Sequence, residues 1–279
     1  MHEYHRFTSA LKHSGCASVD SFLEFCSDEW MDLGKVAIAA KLLPKERTSQ
    51  LFDEWRGIRR EPERAEAYEH NWPWYDLLIG VLCDGVRFDA VRDNSLSIIT
   101  FNYDRSLEHF MFTALKNRYG KSDAECAKVL DCIRVRHVYG SLGKLEWQKG
   151  ADETNTVPYD SPGETGHIQR AAKSITILHE SIEDSPEFIA ARELLESAEQ
   201  VFFLGFGFHP VNLKRLGIHR GSILLPRETA GTAIDLVNDR RDYFDKITQP
   251  IRGGGHRNGT SVLVDCDVYT LLHDYATFS

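Results

Sequence analysis

Through the first third of the chain, apolar residues recur at helical spacing. From Val19 to Leu43 the positions Phe22, Phe25, Trp30, Leu33, Val36, Ala37, Ala40 and Leu43 follow three- and four-residue steps. This predicts a helix that starts at Ser18 or Asp20 and stops at Pro44. Two more helices are predicted, near Lys45 to Arg60 and near Trp72 to Val91. The second carries Trp74, Leu77, Leu78, Val81 and Leu82 on a dense apolar face, with Pro73 at a favourable first-turn position. The opening, through about Ser18, is polar and shows no strong period.

From Ser97 the pattern alternates. The run S-I-I-T-F-N reads as a buried strand over Ser97–Asn102, followed by a helix to Tyr119 with Gly120 as its stop. A short helix over Ser122–Leu130 leads into a strand over Ile133–Tyr139 and the turn Gly140-Ser141-Leu142-Gly143. Lys149 to Gly166 reads as a long surface loop, and Ser174–Leu178 as a third strand. A helix capped by Asp184-Ser185-Pro186-Glu187 runs to Ala198, and a strand over Gln200–Phe206 enters the turn Gly205 to Asn212. Ser222–Leu225 is a candidate fifth strand, Thr232–Ile247 a helix, Gly253-Gly254-Gly255 a flexible connection, and Asp267–Tyr275 a strand passing into a terminal helix. Strand–helix alternation of this kind predicts an α/β fold with a doubly wound parallel sheet. The expected division is a helical segment over 1–95 and a sheet core over 96–279.

In a single parallel sheet all carboxyl ends share one edge, so the turns at Asn102–Asp104, His137–Ser141 and Gly205–Asn212 are expected to converge on one cleft. At such an edge the Asn102 amide offers donors and acceptors to a ligand. Asp104 is able to cap the helix that follows it. His137 has the titration range of a general base; its plainer reading is a buried histidine bonded to a backbone carbonyl. Gly205 and Gly207 allow a backbone to approach a ribose or phosphate closely, or simply make a tight turn.

Composition narrows the function classes. The 279 residues are 42% hydrophobic and 27% charged with a net charge of −9, which argues against a broad nucleic-acid-binding face. The basic run from Arg56 to Arg64 is interleaved with acids and reads as a solvated helix face. No apolar run reaches the about 18 residues of a membrane span, and M-H-E-Y-H-R is not a signal peptide, so a cytoplasmic location is expected. Cys16, Cys26, Cys83, Cys126, Cys132 and Cys266 form no C-x-x-C pair. Reduced thiols are expected, and no metal site.

Three segments together, T-F-N-Y-D-R-S-L-E from Thr100, H-V-Y-G-S-L-G from His137 and F-L-G-F-G-F-H-P-V-N from Phe203, resemble the sirtuin-like NAD-hydrolysing proteins of bacterial anti-phage defence. The likeness covers the chain from about Ser18 onward. It implies a Rossmann-like, sirtuin-like domain with a helical insertion, whose substrate is NAD and which needs no metal. By the same likeness Asn102 orients the ribose hydroxyls and the attacking water, and His137 is the general base. Thr100, Phe101, Tyr103 and Phe206 are among the NAD-binding residues, Asp104 helps hold the nicotinamide side or the loop, and Gly205, Gly207 and Asn212 line the adenosine ribose. A homo-oligomer and a partner defence protein such as an ATPase are implied as well. The alternatives are an inactive sirtuin-like scaffold subunit and, third, an NAD-dependent deacylase, a class that typically carries the four-cysteine zinc module missing here. The family's glycine-rich G-A-G-x-S turn is not seen near the start. The expectation is therefore a truncated start, a site completed by a partner, or weak NAD binding.

Overall fold

The structure, a computed structural model, describes residues 2–16, 19–23, 26, 28–49, 51, 74–177, 185–219, 228–248 and 261–276. The chain divides into two compact units, each assembled from two stretches: Met1–Ile58 with Val86–Ile182, and Arg59–Gly85 with Glu183–Ser279. Short parallel ladders set among helices make the architecture α/β. Where one sheet was expected, the described strands form two ladders, one of two strands and one of three.

The first unit opens with α1 (His2–His13), α2 (Val19–Leu23) and α3 (Asp28–Arg47). Helix α1 lies in the stretch that lacked a period, because its apolar stripe is narrow. Phe7 is fully buried and meets Phe22 and Trp30 edge-on at 5.8 and 6.0 Å, while Ala10 and Leu11 pack against the same cluster. The single helix expected over Val19–Leu43 is two. Leu23 of α2 sits on Gly34 of α3 so closely that a Cβ there would lie 2.2 Å from the leucine Cδ1. Nor does Pro44 stop α3; it lies inside the helix, which runs on to Arg47. A proline removes one backbone donor, and the last turn is held instead by Glu46, buried against Arg105. The remainder of the helix expected to Arg60 lies outside the described residues beyond position 51.

Helix α4 (Trp74–Cys83) belongs to the second unit. The first unit resumes with a 3-10 turn over Phe88–Asp93, then β1 (Ser97–Thr100), α5 (Ser106–Tyr119), α6 (Asp123–Leu130), β2 (Arg134–His137) and α7 (Thr165–Ser174). The stop signal of α5 and the start signal of α6 hold, while α5 itself opens on Arg105 with no side-chain cap. Gly120 ends α5 in the left-handed region at φ 61°, and Ser122 and Glu125 form a reciprocal capping box on α6. In place of the strand expected over Ser174–Leu178, of which Leu178 lies outside the described residues, α7 runs to Ser174, and Ile175 makes a bridge to Gly140. Ile168, Ala171, Ala172 and Ile175 are a helical stripe, and the small alanines let α7 pack on α3. The core joining these helices also takes in Leu142 and Val157 from the segment after β2.

The second unit comprises α4, α8 (Pro186–Ser197), β3 (Gln200–Phe203), α9 (Pro210–Arg215), β4 (Glu228–Thr232), α10 (Asn238–Thr248), β5 (Ser261–Val264) and α11 (Val268–Tyr275). Its ladder is parallel, in the order β3-β4-β5, with α11 packed against both β4 and α4. Ser185 caps α8 and Pro186 opens it, as the sequence signals indicate. Strand β4 reads E-T-A-G-T, too small and polar to stand out. Even so, four of its five residues are buried, because Phe203, Phe208 and Leu263 close over Gly231. Strand β5 was not anticipated, and Asp267 caps α11 rather than beginning a strand. The strand expected over Ser222–Leu225 and the Gly253–Gly255 tract lie outside the described residues.

Candidate functional site

Strands β1 and β2 pair in parallel with Thr100 opposite His137, so they end level. The ladder continues one step further, with the Val138 N–H donating to the Thr100 carbonyl at 3.0 Å. Along β2, Arg134 and Arg136 are exposed while Val135 and His137 are half-buried, which is the two-residue alternation of a strand with one covered face. His137 thereby turns inward, beneath the loop that leaves β1.

That loop carries the expected residues. The Asn102 N–H donates to Thr100 Oγ1 at 3.1 Å, Phe101 stacks edge-on against Tyr139 at 5.5 Å, and the Tyr103 carbonyl accepts from the Leu142 N–H at 3.0 Å. Asp104 accepts the Ser106 N–H at 3.1 Å and so takes the helix-entry role that its position suggested. His137 Nδ1 lies 2.7 Å from the Asn102 carbonyl oxygen, and Nε2 lies 2.7 Å from Glu108 Oε1. The residue Asn102 is exposed, whereas the His137 and Glu108 side chains retain only 11% and 7% of their accessible surface. In the first unit, then, Thr100, Phe101, Asn102, Tyr103, Asp104 and His137 form one neighbourhood.

Opposing influences bear on the proton affinity of His137. Burial is the largest and acts to lower it. The hydrogen bond and charge of Glu108, the Asn102 carbonyl and the Asp104 charge act the other way, and together they hold the imidazole above its ordinary value. His109, next to Glu108 on α5, shows the contrast: stacked face to face on Tyr159 at 3.8 Å, it is pushed below the ordinary value by burial and by the Arg105 charge.

The turn Gly205–Asn212 belongs to the second unit. The Gly205 N–H donates to Thr232 Oγ1 at 2.8 Å, joining the ends of β3 and β4. Phe206 packs on Phe203 and Phe208 at 5.4 and 5.2 Å, and Asn212 lies within α9. A Cβ at Gly205 or Gly207 would meet nothing within 4 Å, so both face open space.

Glu108 and the buried pair Glu46–Arg105 escaped the sequence reading. For Glu108 a signal existed: it shares the i, i+3, i+4, i+7 stripe with Met111, Phe112 and Leu115, all of them buried. An acid on a core-facing stripe needs a partner. Two hollows of 460 and 520 Å³ lie elsewhere in the first unit, the former lined in part by Glu146, His167 and Arg170 and the latter by His5, His13 and Trp30. Neither includes Asn102 or His137. Among the described residues no three His, Cys, Asp or Glu side chains are grouped to hold a metal ion, and no helix is long and apolar enough to cross a membrane. Comparison of the chain with protein-family models, with curated proteins and with solved structures finds no match.

Proposed function

We propose that the protein is an NAD+ hydrolase of the sirtuin-like defence type, cleaving NAD+ to nicotinamide and ADP-ribose, with a Rossmann-like arrangement of its α/β elements. One observation carries most of the weight. The Thr100–His137 register sets the Asn102 loop and the His137 ring side by side at the carboxyl edge of a parallel ladder, 2.7 Å apart at their nearest atoms. That edge is where α/β sheets bind ligands.

In this reading the bond between the ribose C1′ and the nicotinamide nitrogen breaks with its electron pair going to the ring nitrogen. Water adds to C1′, and its proton passes to His137. The exposed Asn102 amide orients the ribose hydroxyls and that water; such positioning supplies much of the rate enhancement when the leaving group departs readily. NAD is the substrate, no resident metal takes part, and a homo-oligomer or a partner such as an ATPase sets when the site works.

Incubation with NAD+ and separation of the products by chromatography tests this. Wild-type protein, alone or with candidate partner proteins, is expected to release nicotinamide, and Asn102→Ala to lose at least about 100-fold of that rate. Equal rates for the two proteins would remove the reading.

A second reading, a catalytically silent scaffold subunit, is favoured by the same histidine, since a ring bonded at both nitrogens is what a purely structural role requires. Titration calorimetry with NAD+ separates the two, because a scaffold gives no heat of binding.

A further inference from the structure

The chemistry above leaves Glu108 without a task, yet this carboxylate is buried in the core-facing stripe of α5. A buried charge persists only where something compensates it, and the group placed to do so is His137 Nε2 at 2.7 Å. The hydrogens in this cluster can be counted. A carbonyl oxygen carries none, so the hydrogen between His137 Nδ1 and the Asn102 carbonyl belongs to the ring. Between Nε2 and Glu108 lies a second, on one atom or the other. With both in place, neither ring nitrogen turns a lone pair towards a substrate.

We propose that Glu108 is the positioning residue of this site, locking His137 in a doubly bonded geometry so that the ring accepts a proton only after the Glu108–Nε2 contact opens. The inference rests on the Asn102–His137 reading and adds its regulation. When the contact opens, the shared hydrogen goes to solvent. Nε2 is then free to take the proton released as water adds to C1′, while Nδ1 stays anchored on the Asn102 carbonyl. The charged groups acting on the ring are Glu108 from α5 and Asp104 from the β1–α5 loop, and both favour the protonated ring. A rise in pH, or a movement of α5 relative to β2, therefore releases the base.

The test uses the whole chain in four forms: wild type, Glu108→Gln, Glu108→Asp, and His137→Gln to assign the ring signals. The ring nitrogens of labelled histidine are followed by NMR against pH, alongside nicotinamide release from NAD+. In Glu108→Gln the His137 titration is expected to move down by about 1–2 pH units. The acid limb of the release profile should move with it at unchanged KM, and Glu108→Asp should restore most of the wild-type profile. An unmoved His137 titration in Glu108→Gln overturns the proposal, as does complete loss of release at every pH in a variant with a native amide spectrum, which would make Glu108 catalytic itself. If wild type releases no nicotinamide at any pH, the hydrolase reading falls, and the NMR titration alone still decides whether Glu108 holds the ring.

Discussion

Arg105 and Glu46 are the most deeply buried charges described in the first unit, each side chain retaining about 1% of its surface. One carboxylate oxygen accepts the Arg105 backbone N–H at 2.6 Å and Nε at 3.2 Å, the other accepts Nη2, and the guanidinium also donates to the Val157 and Pro158 carbonyls. Burial pushes the Glu46 carboxyl up while the guanidinium beside it pulls down, and burial prevails. Removing one partner of such a pair strands the other, so Arg105→Met is expected to cost about 3–5 kcal/mol in denaturant unfolding. A double variant, Glu46→Leu with Arg105→Met, should recover much of that loss. His137 gives a second prediction at this scale. Its folded-state proton affinity is raised, so the contact contributes stability that is complete below the unfolded value of about 6.5 and is lost as pH climbs through the higher folded value. Thermal unfolding across that range should show Tm falling on the alkaline side in wild type, and the fall should disappear in Glu108→Gln.

At the scale of elements, the segment after β2 depends on Gly140. Its φ is 73°, and a Cβ would lie 1.9 Å from the Ser174 carbonyl at the end of α7. The Thr176 N–H returns to the Tyr139 carbonyl at 2.9 Å, tying α7 to the end of β2. Gly140→Ala is expected to cost more than about 2 kcal/mol from the left-handed backbone and the clash together, measured by denaturant unfolding. By contrast Ser122→Ala, which removes one capping interaction on α6, should cost about 1 kcal/mol. These elements also show what the sequence discloses. Strands β1, β2 and β3 and helices α5, α6 and α8 were legible because apolar runs, caps and Gly120 coincide there. Helices α1 and α7 were not, since Phe7 or a pair of alanines fixes each one only through tertiary packing on α3. Strand β4 was hidden because its β-character comes from the phenylalanines that close over Gly231, not from its own side chains. At the candidate site, the Asn102–His137 neighbourhood was foreseeable from two strand ends. The carboxylate behind it was not, because a helical stripe names a face but not what that face meets.

At the scale of the whole molecule, neither unit is continuous in sequence. The first closes only when α3 meets α7, and the second only when α4 meets α11. A fragment spanning Met1–Ile182 contains every element of the first unit and is expected to unfold cooperatively in circular dichroism. A fragment spanning Val86–Ile182 lacks α3, leaves Ala171, Ala172 and Leu142 uncovered, and should not. The same interleaving governs how the protein is born. Helix α3 ends at Arg47 and its packing partner begins at Thr165. At about 5–20 residues per second the nascent chain therefore carries the face of α3 that meets α7 uncovered for roughly ten seconds before cover arrives. Helix α4 waits longer still for α11. Translation speed and the supply of chaperones thus belong to the conditions under which this fold is reached, and synonymous codon changes between α3 and α7 are expected to alter soluble yield without altering the finished protein.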